Sequence, residues 1–239
     1  MSRFRVDLHM HSCLSPCADD DMTPVTMAGM AALQNLDIAA LTDHNSCGNC
    51  RTFFEACNAY GVLPIAGMEL TTSEDVHMVC LFPDLEDAIA FDKEIFPFRL
   101  KLRNKPMIFG NQRFMDTDDN VVGEDPYFLP AATSISISDA CEMVKKHGGV
   151  CYPAHIDREA NGILAILGSF PPEIDFPVVE VHDEKNYRMA EGRSIVASSD
   201  AHHILDIGEN NFSLDLDTDE NNSDEIRRSL FAYLRGDRE

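Results

Sequence analysis

The chain has 239 residues, 44% of them hydrophobic, which fits one α/β domain with a sizeable core. Its 41 acidic residues outnumber 19 basic ones, for a formal charge of −22, and this argues against a long nucleic acid or an anionic membrane surface as partner. No basic start leads into an apolar stretch, and no apolar run reaches roughly eighteen residues, so neither an export signal nor a membrane span is expected and the cytoplasm is the expected compartment.

Residues 6–11 read as a strand. Alternation along it sends Asp7, His9 and His11 to one face and Leu8 and Met10 to the other. A polar loop over 12–22 leads to Thr23-Pro24, an N-cap followed by proline at the first helical position, which starts a helix running to about Leu36. The apolar run 38–42 predicts a buried strand ending at Asp43-His44. A helix over 51–60 is stopped by Gly61, and the strand 63–67 that follows ends at Glu69. The next strand, 76–82, contains His77, and Pro83-Asp84 opens a helix to about Phe96.

Beyond this helix the pattern loosens. Residues 111–125 read as a hairpin turning at Asp118-Asp119-Asn120, part of an insertion spanning about 100–130 to which the sequence assigns no chemistry. Ser138 is the expected cap of a helix ending at His147, where a cation complements the helix dipole and Gly148-Gly149 ends the turn. The strand 150–152 then delivers Pro153-Ala154-His155. Strands over 178–181 and 194–197 follow, the first closing on His182-Asp183 and the second delivering Ser199-Asp200-Ala201-His202. The acidic stretch 215–225 reads as a solvated loop, and an amphipathic helix over 223–234 ends the pattern. Alternating strands and helices point to a barrel of parallel strands, a single domain over 1–239.

The chemistry stands where strands stop. His9, His11, His44, His77, His155, His202 and His203 fall almost entirely at strand ends, most with a carboxylate nearby. Imidazole and carboxylate are ligands that zinc, manganese and iron share, and strand ends are where an α/β barrel assembles a site. A lone histidine in such a place is more often a core residue satisfied by hydrogen bonds.

Read together, Asp7-Leu8-His9-Met10-His11-Ser12, Thr42-Asp43-His44-Asn45, Gly67-Met68-Glu69, His77, Pro153-Ala154-His155 and Ser199-Asp200-Ala201-His202 resemble the polymerase and histidinol phosphatase (PHP) superfamily. The resemblance implies a distorted (β/α)7, TIM-like barrel with two or three divalent ions, zinc, iron or manganese, at its C-terminal mouth. It implies that His9, His11, Glu69 and Asp200 hold the first ion, and that bridging Glu69 joins His77 and His155 on the second. Asp19, His44 and His202 fall to the third. Asp19 stands further from His11 than the family pattern places this ligand, and Asp20 is the alternative. Glu69, Asp200 and His202 are the residues on which catalysis would rest.

The implied activity is a phosphoesterase acting on a small phosphorylated metabolite, monoester or small diester, releasing inorganic phosphate. Two ions sharing a carboxylate, roughly 3.5–4 Å apart, hold a bridging water, lower its pKa toward about 7 and aim it at phosphorus. Arg158, three residues beyond His155, and His203 are the expected phosphate-side groups, with Lys185 and Arg188 weaker choices and Glu180 and Asp183 as supports for the ligands. Histidinol phosphatase is one activity within this class, and a PHP module that binds metal without catalysis is the alternative from another class. Amidohydrolase barrels use a lysine at a strand end, and no lysine here stands at one. Cys13, Cys17, Cys47 and Cys50 follow the first two motifs closely and leave open a structural zinc, an iron-sulfur cluster or a redox pair, whereas Cys57, Cys80, Cys141 and Cys151 read as core.

Overall fold

A computed structural model describes residues 1–218 and 222–237. Ten strands run in chain order: β1 (Ser2–Asp7), β2 (Ile38–Leu41), β3 (Leu63–Thr71), β4 (His77–Phe82), β5 (Arg113–Met115), β6 (Val121–Glu124), β7 (Val150–Pro153), β8 (Val178–Glu180), β9 (Ser194–Val196) and β10 (Ser213–Leu216). The helices are α1 (Pro24–Leu33), α2 (Cys50–Tyr60), α3 (Leu85–Ile95), α4 (Pro106–Phe109), α5 (Ile137–Lys146), α6 (Ile163–Leu167) and α7 (Ser223–Arg235), with three short 3-10 turns between them.

Local chemistry explains most of the ends. Thr23 caps α1, its hydroxyl accepting from the Thr26 amide, and Pro24 occupies the first helical position. Gly61 stops α2 in the left-handed region at φ 78. The cap of α5 is Ser136 rather than Ser138, because Ser136 is the residue in extended backbone whose hydroxyl accepts from the Asp139 amide. The stretch read as an acidic loop contains β10, whose Leu214 and Leu216 are buried while Asp215 faces solvent, and its end belongs to α7. Residues 219–221 of that stretch lie outside the described residues.

β10, β1, β2, β3, β4 and β7 form one curled sheet in that order, and β8 pairs in parallel with β9. The β1–β2–β3 core is parallel, but β4 is antiparallel to both β3 and β7. The regular alternation expected of a (β/α)7 barrel is therefore interrupted, and the architecture is an α/β fold with a curled, half-barrel sheet. The β8–β9 pair is tied to that sheet through strand ends: the Ile156 amide donates to the Glu180 carbonyl, and Met10 bridges Ala201.

Alternation sorts the core into two clusters. Ile38, Ala40, Ile65, Val79 and Leu81 point inward and meet Phe4, Val6, Leu8, Tyr152, Val178 and Val196, with Ile226, Leu230, Phe231 and Leu234 of α7 closing the lower end. Ala39, Leu41, Met68, Met78, Cys80 and Phe82 point outward against Met27, Phe53, Phe91 and Val144 of the flanking helices. Each such side chain, fully buried, contributes roughly 1.5–3 kcal/mol. Leu8 and Met10 fall in different clusters, because β1 ends at Asp7 and the chain bends there toward Ala201. Glu69 and His77 share the inward parity of Ile65 and Val79, so they stand at the top of the interior.

Candidate metal centre

Eight of the expected ligand residues converge at that upper end. The Glu69 carboxylate, 1% exposed, is their hub: its Oε1 lies 2.7 Å from His77 Nδ1, 3.1 Å from His155 Nε2 and 3.4 Å from His9 Nε2. Its Oε2 lies 3.0 Å from His44 Nδ1 and 3.5 Å from His11 Nε2. Asp200 Oδ1 is 3.4 Å from His9 Nε2 and 3.2 Å from His11 Nε2. The ligand-type atoms of His9, His11 and Glu69, of His44, Glu69 and His77, and of His11, His44 and His202 form three overlapping groups, each within 4.8 Å. Atoms about 2.0–2.1 Å from one tetrahedral ion stand about 3.4 Å apart, the spacing seen here.

Tautomers make the fit to cations specific. Ser15 Oγ donates to Asp43 Oδ1, so toward His11 Nδ1, 3.0 Å away, it is the acceptor and the imidazole the donor. His9 Nδ1 stands 3.0 Å from the acceptor-only carboxylate of Glu180 and must donate as well. With both imidazoles neutral, as metal binding requires, both Nε2 atoms are left as lone pairs, and they face each other at 3.1 Å. Two lone pairs at that distance repel unless a cation lies between or beside them. His44 Nδ1, His77 Nδ1 and Asp200 Oδ1 are likewise buried, close to charged neighbours but without an aligned hydrogen bond. Divalent ions satisfy all of these atoms at once, and imidazole with carboxylate, without thiolate, is the donor set of a hydrolytic centre rather than a closed structural one.

Charge within the cluster is strongly coupled. Burial opposes ionisation of Glu69, but the neighbouring His77, His9 and His44 hold its carboxyl well below the usual range. Burial also works against a charged His9, yet the carboxylates of Glu180, Asp200 and Glu69 raise it well above an ordinary histidine. His11 is depressed by burial and by His202 and His44. Asp200 is kept ionised by His9 and His11 against its burial.

Carboxylates beneath the cluster fix the loops that carry it. Asp43 accepts from the Ser12 amide and from the hydroxyls of Ser12 and Ser15 at 2.6–2.7 Å, pinning the turn after His11. Asp7 accepts from the Ser199 amide and hydroxyl and from the Gly208 amide, and its burial pushes its pKa up to about 6. Asp7 thus holds the loop of Asp200 instead of facing the cluster. Glu180 accepts from His9 and from the His155 amide. His155 and Asp200 adopt φ values of 26 and 52, conformations that L residues rarely hold, and the anchored loops keep both there. The sequence pointed to Glu180 as a support; Asp43 and Ser199 carried no signal beyond their place inside the motifs, and Ser15 none beyond the polar loop after the first.

The remaining expected residues lie at the rim. Arg158 contacts Asp200 Oδ2 through one guanidinium nitrogen and lies 3.4 Å from His182 Nδ1 through another. His202, at the edge of the cluster, donates from Nδ1 to the Asp200 backbone carbonyl at 2.7 Å and stands 3.7 Å from Asp200 Oδ1, its ring 4.5 Å from that of His11. Asp19 turns to His203, Oδ2 to Nδ1 2.7 Å, with both side chains more than half exposed, and Asp20 pairs with Arg113 and Asn111. Asp183 caps the 3-10 turn after β8, and Lys185 and Arg188 stand on that turn. The four loop cysteines do not meet as one set: Cys47 and Cys50 sit together and donate to the Gly67 carbonyl, Cys13 faces the Arg113 carbonyl with its thiol pushed up to about 12 by burial, and Cys17 is exposed. Among the described residues no thiol joins a ligand group. A cavity of about 310 Å³ lies beside Arg158, lined by His182, Tyr187 and Asn210 among others. A larger one of about 660 Å³, between β10 and α7, shares no residue with the histidine cluster.

A family model described as the PHP domain matches residues 7–216. Comparison with curated proteins gave no match. Among solved structures, the chain is similar to the lesion-specific endonuclease PfuEndoQ from Pyrococcus furiosus, with a TM-score of 0.65 at 15% identity over 95% of this chain and 55% of that one. It is similar to Endonuclease Q in complex with a 27-mer duplex substrate with an abasic lesion at the active site, with a TM-score of 0.63 at 14% identity over 95% and 56%. A protein assigned as a metal-dependent phosphoesterase from Bifidobacterium adolescentis gives 0.55 at 18% identity over 82% and 87%. The chain thus spans just over half the length of the two endonuclease chains.

These structures correct one expectation. The resemblance led to a small phosphorylated metabolite as partner and net charge argued against long nucleic acid, but a chain of the same fold is seen with duplex DNA. Overall charge is a poor guide because exposed charges are screened beyond about 10 Å, so a local patch decides contact with a polyanion. Among the described residues no helix is long and apolar enough to cross a membrane. From the match over most of its length, the chain belongs to the PHP domain family, whose members are metal-dependent hydrolases of phosphoester bonds.

Proposed function

We propose that this chain hydrolyses phosphodiester bonds with two or three divalent ions held by the cluster around Glu69. The observation that carries the proposal is the pair of Nε2 atoms of His9 and His11, 3.1 Å apart beside two buried carboxylates. His9, His11, Glu69 and Asp200 would hold one ion, Glu69, His77 and His155 a second, and His44 and His202 a third with a group from the loop after His11. Asp19 is the candidate for that group, once it leaves His203. Such ions, when bound, supply Lewis acidity to the phosphoryl oxygens and an activated water.

The chain's own residues supply the rest. Glu180 and Ser15 fix the tautomers of His9 and His11, so that both present lone pairs inward. Arg158 is partly exposed and stands over Asp200, and giving up its contact with His182 would turn one edge of its guanidinium, a planar fork, to a phosphate oxygen. While Asp19 contacts His203 it raises the pKa of that imidazole, which stands at the rim.

The test is hydrolysis of bis-p-nitrophenyl phosphate by protein reconstituted separately with manganese, iron and zinc. Turnover that disappears on chelation and in Asp200→Ala supports the reading. No turnover with any of the three metals contradicts it.

A further inference from the structure

The molecule carries one segment whose chemistry contrasts with everything around it. From Ile95 to Met115 there is no Asp or Glu, in a chain of net charge −22, while Arg99, Lys101, Arg103, Lys105 and Arg113 fall within it. Between these cations stand Phe96, Phe98, Leu100, Leu102, Met107, Ile108 and Phe109, exposed by 40% to 99%. Arg99 is engaged by Asp92 and Arg113 by Asp20. Among the described residues, Lys101, Arg103 and Lys105 form no ion pair, and Arg103 lies over the Tyr127 ring at 5.8 Å.

The backbone of this segment is held firmly even though its side chains are in solvent. Arg103 bridges Tyr127, the Phe128 amide donates to the Leu102 carbonyl, and the Ser134 amide donates to that of Phe98. Gly110, at φ 99, presses on the loop after His11 so closely that a Cβ there would fall 2.0 Å from the Pro16 carbonyl oxygen. On the other side, Asn45, next to His44, donates to the carbonyls of Leu129 and Ala131. The strip is therefore built onto the two loops that deliver His11 and His44.

We propose that residues 96–109 bind a nucleic-acid strand and feed its phosphodiester backbone to the metal centre, an inference that rests on the phosphodiesterase reading above. Cations spaced along an extended segment track phosphates, and exposed aromatic and aliphatic groups between them offer surfaces on which bases stack. Apolar groups that stay in water at such exposure, on a fixed backbone, mark a contact surface. A lipid surface or a second, acidic copy of the chain would also meet cations and apolar groups. Attachment to the loops of a phosphoester-cleaving centre, with cations spaced along one segment as phosphates are along a strand, favours nucleic acid over both.

The experiment is fluorescence polarisation with a labelled oligonucleotide, single-stranded and duplex, on the full chain in EDTA, alongside hydrolysis of bis-p-nitrophenyl phosphate by metal-loaded protein. Wild type is expected to bind with affinity that falls as salt rises. The triple variant Lys101→Glu, Arg103→Glu, Lys105→Glu is expected to lose at least about tenfold in affinity and about 2 from the log-log salt slope, roughly 0.7 per phosphate contact on a single strand. Its small-diester hydrolysis should be unchanged. The milder Met107→Ser, Ile108→Ser pair should weaken single strands more than duplex. Absence of oligonucleotide binding, equal binding by the triple variant, or a loss traced instead to vesicles containing phosphatidylserine or to a dimer seen by sedimentation would each overturn the proposal. Loss of small-diester hydrolysis in wild type would sink the phosphodiesterase reading instead, and the two failures are read separately.

Discussion

At the mouth of the curled sheet, titratable groups are removed from water almost completely; along residues 96–109, three cations and seven large apolar side chains are left in it. In the first region Glu69, His9 and His11 are 0–1% exposed, and each is positioned by a second buried group. In the second, only the backbone is positioned. Buried ionisable groups cost several kcal/mol each unless paired, so their persistence requires a compensating cation. Exposed cations cost nothing to keep, and their retention is informative only through their spacing. The buried cluster therefore carries strong geometric constraint and the strip almost none.

Breaking the buried region should have the largest effects. Asp200→Ala or His155→Ala is expected to abolish metal-dependent turnover while far-UV circular dichroism stays unchanged; full activity in either would dissolve the ligand assignment. Glu180→Gln leaves every inward-facing ligand in place but weakens the grip on His9 Nδ1, and a loss of about 10–100-fold in metal affinity, read by competitive chelation, is expected. Asn45→Ala cuts the tie between the two regions and leaves the Leu129 and Ala131 carbonyls and the Thr71 amide without their partner. A destabilisation of about 1–3 kcal/mol in urea unfolding is expected, with cleavage by protease starting between residues 96 and 134.

The smallest effect lies on the outer face of α3 and separates surface charge from buried charge. His147 and Lys146 hold the Glu94 carboxyl below its ordinary value of 4.5. A depressed carboxylate stabilises the fold above its unfolded pKa, and that contribution fades as pH falls through the folded value. Glu94→Gln should therefore destabilise by less than about 1 kcal/mol near neutrality, and the difference from wild type should vanish under more acid conditions. A difference that persists at low pH would mean that packing, not charge, is what Glu94 supplies.

The same contrast explains what could be read from residue order. His9 and His11, Thr42-Asp43-His44, Glu69, His155 and Asp200 stand at strand ends within short motifs, so the expectation that they converge rested on that placement and on the PHP resemblance. The fold class was legible for the same reason, since buried parallel strands such as β2 read as apolar runs. The reversal of β4 was not, because strand direction depends on the length and path of the connection and leaves no mark on alternation. β10 was hidden because an edge strand with one solvent face reads as an acidic loop. The distribution of loop ligands is similarly non-local: nothing in Asp19-Asp20-Asp21 says that Asp19 meets His203 and Asp20 meets Arg113. The strip falls where the pattern loosens, mostly inside the insertion to which the sequence assigned no chemistry, and residue order there gives no reason to expect seven apolar groups in solvent.

The most direct test of the whole account is anomalous diffraction from crystals of the protein soaked in manganese. Peaks are expected between His9, His11 and Asp200 and between Glu69, His77 and His155, within coordination distance of their inward atoms. A fully ordered cluster that keeps the same side-chain positions and shows no anomalous peak would contradict the account.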